Sequence, residues 1–149
     1  MRYFLDTEFN GFGGALLSLA LVPEDGDEFY VTLTCQGPIH PWVVEHVMPY
    51  LEHVPVGLVT PRLDVESAAG ALAAYLAHDP SPEIVADWPD DIAYFNKLLL
   101  VGPGRMVPVP DLTFRLVTLP GFSTAENSAV PHNALHDARA LRDHLLGLE

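Results

Sequence analysis

Three apolar runs of strand length crowd the start of the chain, at 2–9, 15–22 and 28–35, and the clusters between them, 10–14 and 23–27, are rich in Gly, Asn, Asp and Pro. Apolar segments this short, joined by turns this tight, pair with their neighbours, so the spacing predicts an antiparallel meander. A sheet begun in that way has to be covered, and the rest of the chain supplies the cover. Val43, Val44, Val47 and Leu51 fall near helical spacing over 41–51, and Val65, Ala69, Leu72 and Leu76 mark a helix over 60–78, with Thr60 as its cap and Pro61 in its first turn. Residues 83–87 read as a buried strand stopped by Trp88 and Pro89, and Ile92, Phe95, Leu98 and Leu99 share one face of a helix over 90–100. A strand over 112–117 and a closing helix over 133–146, striped by Ala134, Ala138, Leu141 and Leu145, complete a mixed α/β pattern. Nothing repeats or reads as a linker, so 1–149 is expected to be one domain.

The first strand carries an anomaly. Asp6 and Glu8 stand among Tyr3, Phe4, Leu5 and Phe9, and because side chains alternate along a strand, both point to the same face. A buried carboxylate without a partner costs several kcal/mol, on the usual order for buried polar groups, and two together also repel. Both costs are offset when a hard divalent cation takes their oxygens as ligands. Near the other end, His132, Asn133, Ala134, Leu135, His136, Asp137 and Ala138 form a second polar island. The small residues Ala134 and Ala138 beside Asp137 let that helix approach the first strand closely enough for its carboxylate to join Asp6 and Glu8. Consecutive helix positions point about 100° apart, so His132 rather than His136 is expected at the same centre as Asp137.

A middle carboxylate comes from Asp91 or Asp87. Asp87 ends a strand and Asp91 opens a helix, so either could lean over the edge of a central sheet. Asp91 is favoured because it precedes the helical stripe and has room to rotate toward the site. Distant carboxylates joined by a histidine describe a metal-dependent hydrolytic centre. Each fragment also has a purely structural reading: Asp6 and Glu8 on a half-exposed strand would face water, and Asp and His near a helix start often act as caps.

Charge narrows what such a centre can act on. The net charge is -13, Lys97 is the single lysine, and six arginines accompany it, too few for a long basic track along a duplex. The acidity serves equally to keep a chain that is 49% hydrophobic in solution. If the chain acts on nucleic acid, it should engage a few nucleotides at a strand end, with bound metal supplying the positive charge that side chains lack. No run is long and apolar enough to span a bilayer and no basic leader is evident, so a soluble cytoplasmic protein is expected, without a membrane partner. Cys35 stands alone, which excludes an internal disulfide and a zinc site of several thiolates; it is expected to be a buried strand residue. A chain this small and apolar could bury further surface in a homodimer.

Asp6, Thr7 and Glu8 resemble the first motif of the DEDDh exonucleases, and the stretch from His132 to Asp137, with a histidine five residues before an aspartate, resembles their third. Asp91 falls where the second motif belongs, although the family's frequent His-Asn and Phe-Asp arrangement is replaced by Asp87, Trp88, Pro89, Asp90 and Asp91. The early start of the first motif and the short chain look most like small bacterial 3′-5′ exoribonucleases. The resemblance implies an RNase H-like α/β fold, in which three antiparallel strands lead into parallel ones flanked by helices. It also implies removal of nucleotides from short single-stranded 3′ ends or overhangs, of RNA in preference to DNA. In that scheme Asp6, Glu8, Asp91 and Asp137 hold two Mg2+ or Mn2+ ions about 4 Å apart, one activating water and the other stabilising the departing 3′ oxygen. His132 is then the general base, and Phe9 either packs against the terminal base or belongs to the core.

Two rivals differ in class. A phosphatase of the haloacid dehalogenase type also opens on an acidic strand and ends with paired aspartates, which Asp90 and Asp91 could mimic. It wants Asp where Glu8 stands and a lysine ahead of the late acidic pair, whereas Lys97 follows that pair. The other rival is a catalytically silent RNase H-like interaction domain. Every expected catalytic residue type is present, which favours the enzyme.

Overall fold

Strand β1, Arg2–Phe9, is the spine of the molecule because its alternating side chains serve two cores at once. In the computed structural model, which describes residues 1–149, Tyr3 and Leu5 pack on one face and Phe4 on the other, all fully buried. β2, Leu16–Pro23, runs antiparallel to β1, and β3, Phe29–Thr32, antiparallel to β2. There follow the short helix α1, Pro41–His46, 3-10 turns at Met48–Tyr50 and Val56–Leu58, and helix α2, Val65–Leu76. β4, Glu83–Ala86, pairs with β1 in parallel, and helix α3, Pro89–Leu99, leaves its end. β5, Leu100–Gly102, and β6, Arg105–Met106, form a separate hairpin. β7, Thr113–Leu116, is parallel to β4, and helices α4, Thr124–Asn127, and α5, Ala134–Gly147, close the chain.

The main sheet has the order β3-β2-β1-β4-β7, three antiparallel strands leading into two parallel ones. This α/β arrangement is compatible with an RNase H-like fold. On one face Tyr3, Leu5, Leu19 and Leu21 meet Ala69 and Leu72 of α2 and Phe95 and Leu98 of α3. On the other, Ala20, Val22 and Tyr30 meet Ala134, Leu135 and Ala138 of α5, while Phe4 and Val85 meet Leu141. No helix is long and apolar enough to cross a membrane.

Several elements depart from the sequence pattern, each for a local reason. α2 begins at Val65 rather than near Thr60, because the Asp64 carboxylate accepts from Ser67 N at 2.7 Å and caps the helix there. The residues ahead go to the sheet instead: Leu63 bridges Leu33 in parallel, its N–H donating to Thr32 O at 2.9 Å. Val65 and Val44 are exposed, leaving Ala68, Ala69, Leu72 and Leu76 as the buried face of α2 and Val43, Val47 and Leu51 as that of the α1 region. Cys35 lies past the end of β3 and is half-buried, not a strand residue. The β5–β6 hairpin and α4 have no counterpart in the apolar periodicity, since they bury almost nothing.

The turn after β1 joins the sheet to α1. A Cβ on Gly14 would sit 1.8 Å from Asn10 O, so only glycine closes this turn. Asn10 in turn accepts from His40 N at 2.7 Å and donates to Pro38 O at 3.0 Å, holding the start of α1 beside the end of β1. Between Glu8 and Phe9 the β1–β2 register slips, and the residue left unpaired there, Leu17, packs with Val43, Val47 and Leu51.

Candidate active site

β4 pairs with β1 only from Arg2 to Phe4, so beyond Phe4 that edge of β1 has no strand beside it. Asp91, the third residue of α3, takes the vacant place. Its Oδ1 accepts from Thr7 N at 3.0 Å and from Thr7 Oγ1 at 2.6 Å. Thr7 thus orients the middle carboxylate, while its neighbours Asp6 and Glu8 project from the opposite face of the strand. Thr7→Val, which keeps the shape and removes the hydroxyl, is expected to cost about 1–3 kcal/mol of unfolding free energy, read by chemical denaturation, because it strips a hydrogen bond from a buried carboxyl.

α5 brings its residues in through a buried cap. Asn133 is fully buried; its Oδ1 accepts from Leu135 N at 3.1 Å and His136 N at 3.3 Å, and its Nδ2 donates to Tyr50 O at 2.8 Å. His136 points away from the centre, its Nε2 donating to His53 O at 2.8 Å. His132, just before the cap, has φ 61° and is the one non-glycine residue in the left-handed region. That turn sets its ring against Trp42, with centroids 5.0 Å apart at 76°, and 6.4 Å from His46. Asp137 follows on the first turns of α5 and is buried.

These segments converge. Ligand atoms of Glu8, His132 and Asp137 lie within 4.8 Å of one another. Burial lifts the Asp6 carboxyl well above the usual carboxylate range, and Asp91, Glu8 and Asp137 nearby lift it further. Glu8 is raised in the same way, by burial first and then by Asp137 and Asp91. Burial also raises Asp91 to about 7, against the pull of its Thr7 hydrogen bonds, and Asp137 to about 6. Asp6 Oδ2 and Asp137 Oδ1 are buried with no hydrogen-bond partner. Crowded, desolvated carboxylates with unsatisfied oxygens, beside an imidazole, are a donor set that fits a divalent cation.

No protein-family model matches the chain. One stretch of 55 residues, 34% of the chain, is 46% identical to proteins of Mycobacterium tuberculosis named 3′-5′ exoribonuclease, from strain CDC 1551 / Oshkosh and strain ATCC 25618 / H37Rv. The match spans 33% of the length of each relative.

Beside the carboxylates opens a cleft of about 380 Å³ between the turn after β1, α1 and the start of α3. Glu8 and Phe9 form its floor, and Phe12, Trp42 and Trp88 stand exposed around it. Phe9 is not a core residue: it stacks on Tyr94, centroids 4.5 Å apart and 22° between planes, and meets the cleft. No lysine or arginine lines this space. Arg2, Arg62, Arg139 and Arg142 are engaged with Glu24 and Glu149, Glu52, Glu28, and Glu28 and Asp143, respectively.

Asp6, Glu8, Asp91, His132 and Asp137, chosen from the sequence, are therefore brought to one end of β1, with Asp87 half-buried close enough to raise Asp6 as well. Thr7, Trp42, His46, Phe12 and Trp88 also belong to this region, and apolar pattern and spacing assign none of them a role at the site. Thr7 had a signal, since the residue between two like-facing carboxylates must point at whatever covers the other face. The aromatics had none, because they come from three separate segments, the turn after β1, helix α1 and the start of α3.

Proposed function

We propose that the chain is a 3′-5′ exoribonuclease that shortens single-stranded 3′ ends by metal-dependent phosphodiester hydrolysis. The observation that carries this reading is the convergence of four carboxylates and one imidazole from distant parts of the chain, with oxygens of Asp6 and Asp137 left unsatisfied. The similarity to proteins named 3′-5′ exoribonuclease supports the choice of RNA and of strand polarity. Asp6, Glu8, Asp91 and Asp137 would hold Mg2+ or Mn2+, and when bound such ions supply positive charge to the reacting phosphate.

The side chains account for the remaining parts. Burial and the neighbouring His46 hold the His132 imidazole below its usual range, so it is neutral and free to accept a proton at physiological pH. It takes that proton from the water that attacks the terminal phosphodiester. The bond from phosphorus to the 3′ oxygen breaks, releasing a nucleoside 5′-monophosphate and leaving a shortened chain with a 3′-hydroxyl. Phe9, braced by Tyr94 beside Glu8, packs against the terminal base, and stacking of that kind tolerates any base. A cleft without cations would hold only a few nucleotides and depend on metal to do so. The rival role for His132, as a metal ligand in place of the base, rests on its closeness to Glu8 and Asp137.

The test uses 5′-labelled RNA and DNA oligomers of one sequence, single-stranded and with short 3′ overhangs, at fixed salt and Mn2+. A ladder of single-nucleotide steps on RNA, lost in Asp137→Ala, is the expected result. Turnover of a small phosphomonoester with no ladder would instead establish the phosphatase rival.

A further inference from the structure

A pocket lined mostly by apolar side chains lies away from the carboxylates. It has a volume of about 440 Å³ and sits between α3, the start of α2, and the starts of β2 and β5. Leu16, Leu33, Val65, Leu98 and Leu100 make its walls, and Tyr94 closes one side, its hydroxyl already given to Gly14 O. Volume and apolar lining are those of a small-molecule site, which typically occupies about 300–1,000 Å³.

Its charge is out of keeping with the rest of the chain. Among seven lysines and arginines facing twenty carboxylates, four arginines are tied up in ion pairs. Of the other three, Lys97 lines this pocket, and the Arg105 guanidinium lies against Gly102 on its rim, 3.3 Å from where a Cβ would stand. Two cations without a carboxylate partner, Lys97 in the lining and Arg105 at the rim with its guanidinium donating to Val101 O, stand beside an apolar hollow in a protein of net charge -13, and they favour an anionic ligand. We infer that this pocket binds an amphipathic monoanion, an apolar chain or ring ending in a carboxylate, with the apolar body between α2 and α3 and the carboxylate at Lys97.

A nucleotide fits poorly here. The pocket's two side-chain hydroxyls are already given to backbone carbonyls, Tyr94 to Gly14 O and Thr34 to Leu63 O, so the donors and acceptors of a base would lie unpaired against leucines. The pocket nevertheless adjoins the candidate active site: Tyr94 is its wall, and Phe9 of the cleft stacks on the same ring.

Octanoate, 1-octanol and acetate, titrated calorimetrically into the full chain, test this inference without reference to nuclease activity. One saturable site for octanoate is expected, about tenfold tighter than for 1-octanol, with acetate silent, as a charged contact added to apolar burial requires. Lys97→Met, an exposed position on α3, should bring octanoate to the level of the alcohol, and amide shifts should move at Tyr94, Leu98 and Gly102. Absence of saturable octanoate binding, or equal binding by Lys97→Met, would overturn the assignment. So would sedimentation showing a dimer that Leu100→Glu dissociates, since a second copy would then be the occupant.

Discussion

Asp6→Asn is expected to lower the rate of mononucleotide release from labelled RNA by a factor on the order of a thousand, through loss of charge placed where the reaction needs it. The same change is expected to stabilise the metal-free protein at neutral pH. In the unfolded chain these carboxyls titrate near 4. In the folded protein burial raises Asp6 well above that, Asp91 to about 7 and Asp137 to about 6, so between those limits the folded state holds protons that the unfolded state has released. The stability from this source is complete below pH of about 4 and is lost as pH climbs through 6 and 7. Asp137 alone corresponds to about 2–3 kcal/mol. Thermal melts in chelator should therefore fall steeply between pH 4.5 and 7.5 for the wild type and less steeply for Asp6→Asn, and Mn2+ should restore the wild type by binding the folded state. A wild-type melting temperature that rises over this interval would show that burial and crowding do not hold protons on these carboxyls.

His132 separates two roles through a single substitution. Removing a positioned general base lowers the rate by about a hundredfold to ten-thousandfold while leaving metal affinity nearly unchanged. Removing a ligand weakens the metal itself. His132→Asn is the variant of choice, because asparagine tolerates the φ of 61° at this position and alanine does not. The expected result is a rate loss in the hundredfold to ten-thousandfold range with Mn2+ affinity, measured calorimetrically, within about threefold of wild type. A parallel fall in affinity and rate would assign His132 to the metal.

Much of this arrangement is legible in the chain because it depends on local periodicity. The three-strand meander follows from runs of alternating or apolar residues and the turns between them, and the like orientation of Asp6 and Glu8 follows from the two-residue repeat of a strand. The stripe of α5 places Ala134 and Ala138 against the sheet, and with them Asp137. Where local rules compete, the pattern is ambiguous. Thr60 and Asp64 are both acceptable caps, and Asp64 prevails because Leu63 is held to β3 and its end. Asp87 and Asp91 both suit the middle position, with Asp91 favoured by the helical stripe that follows it, but no local pattern shows that β4 ends short and that Asp91 satisfies the Thr7 N–H.

By itself, then, the order of residues determined which carboxylates share a face, which helix carries the last of them, and that no long basic surface exists, all consequences of period and composition. The packed chain alone decided that Thr7 holds Asp91, that a left-handed turn sets His132 against Trp42, and that two of the few cations stand beside an apolar pocket. Those relations join residues tens of positions apart, and they arise from where strands end and where buried polar groups find partners, which no local repeat encodes.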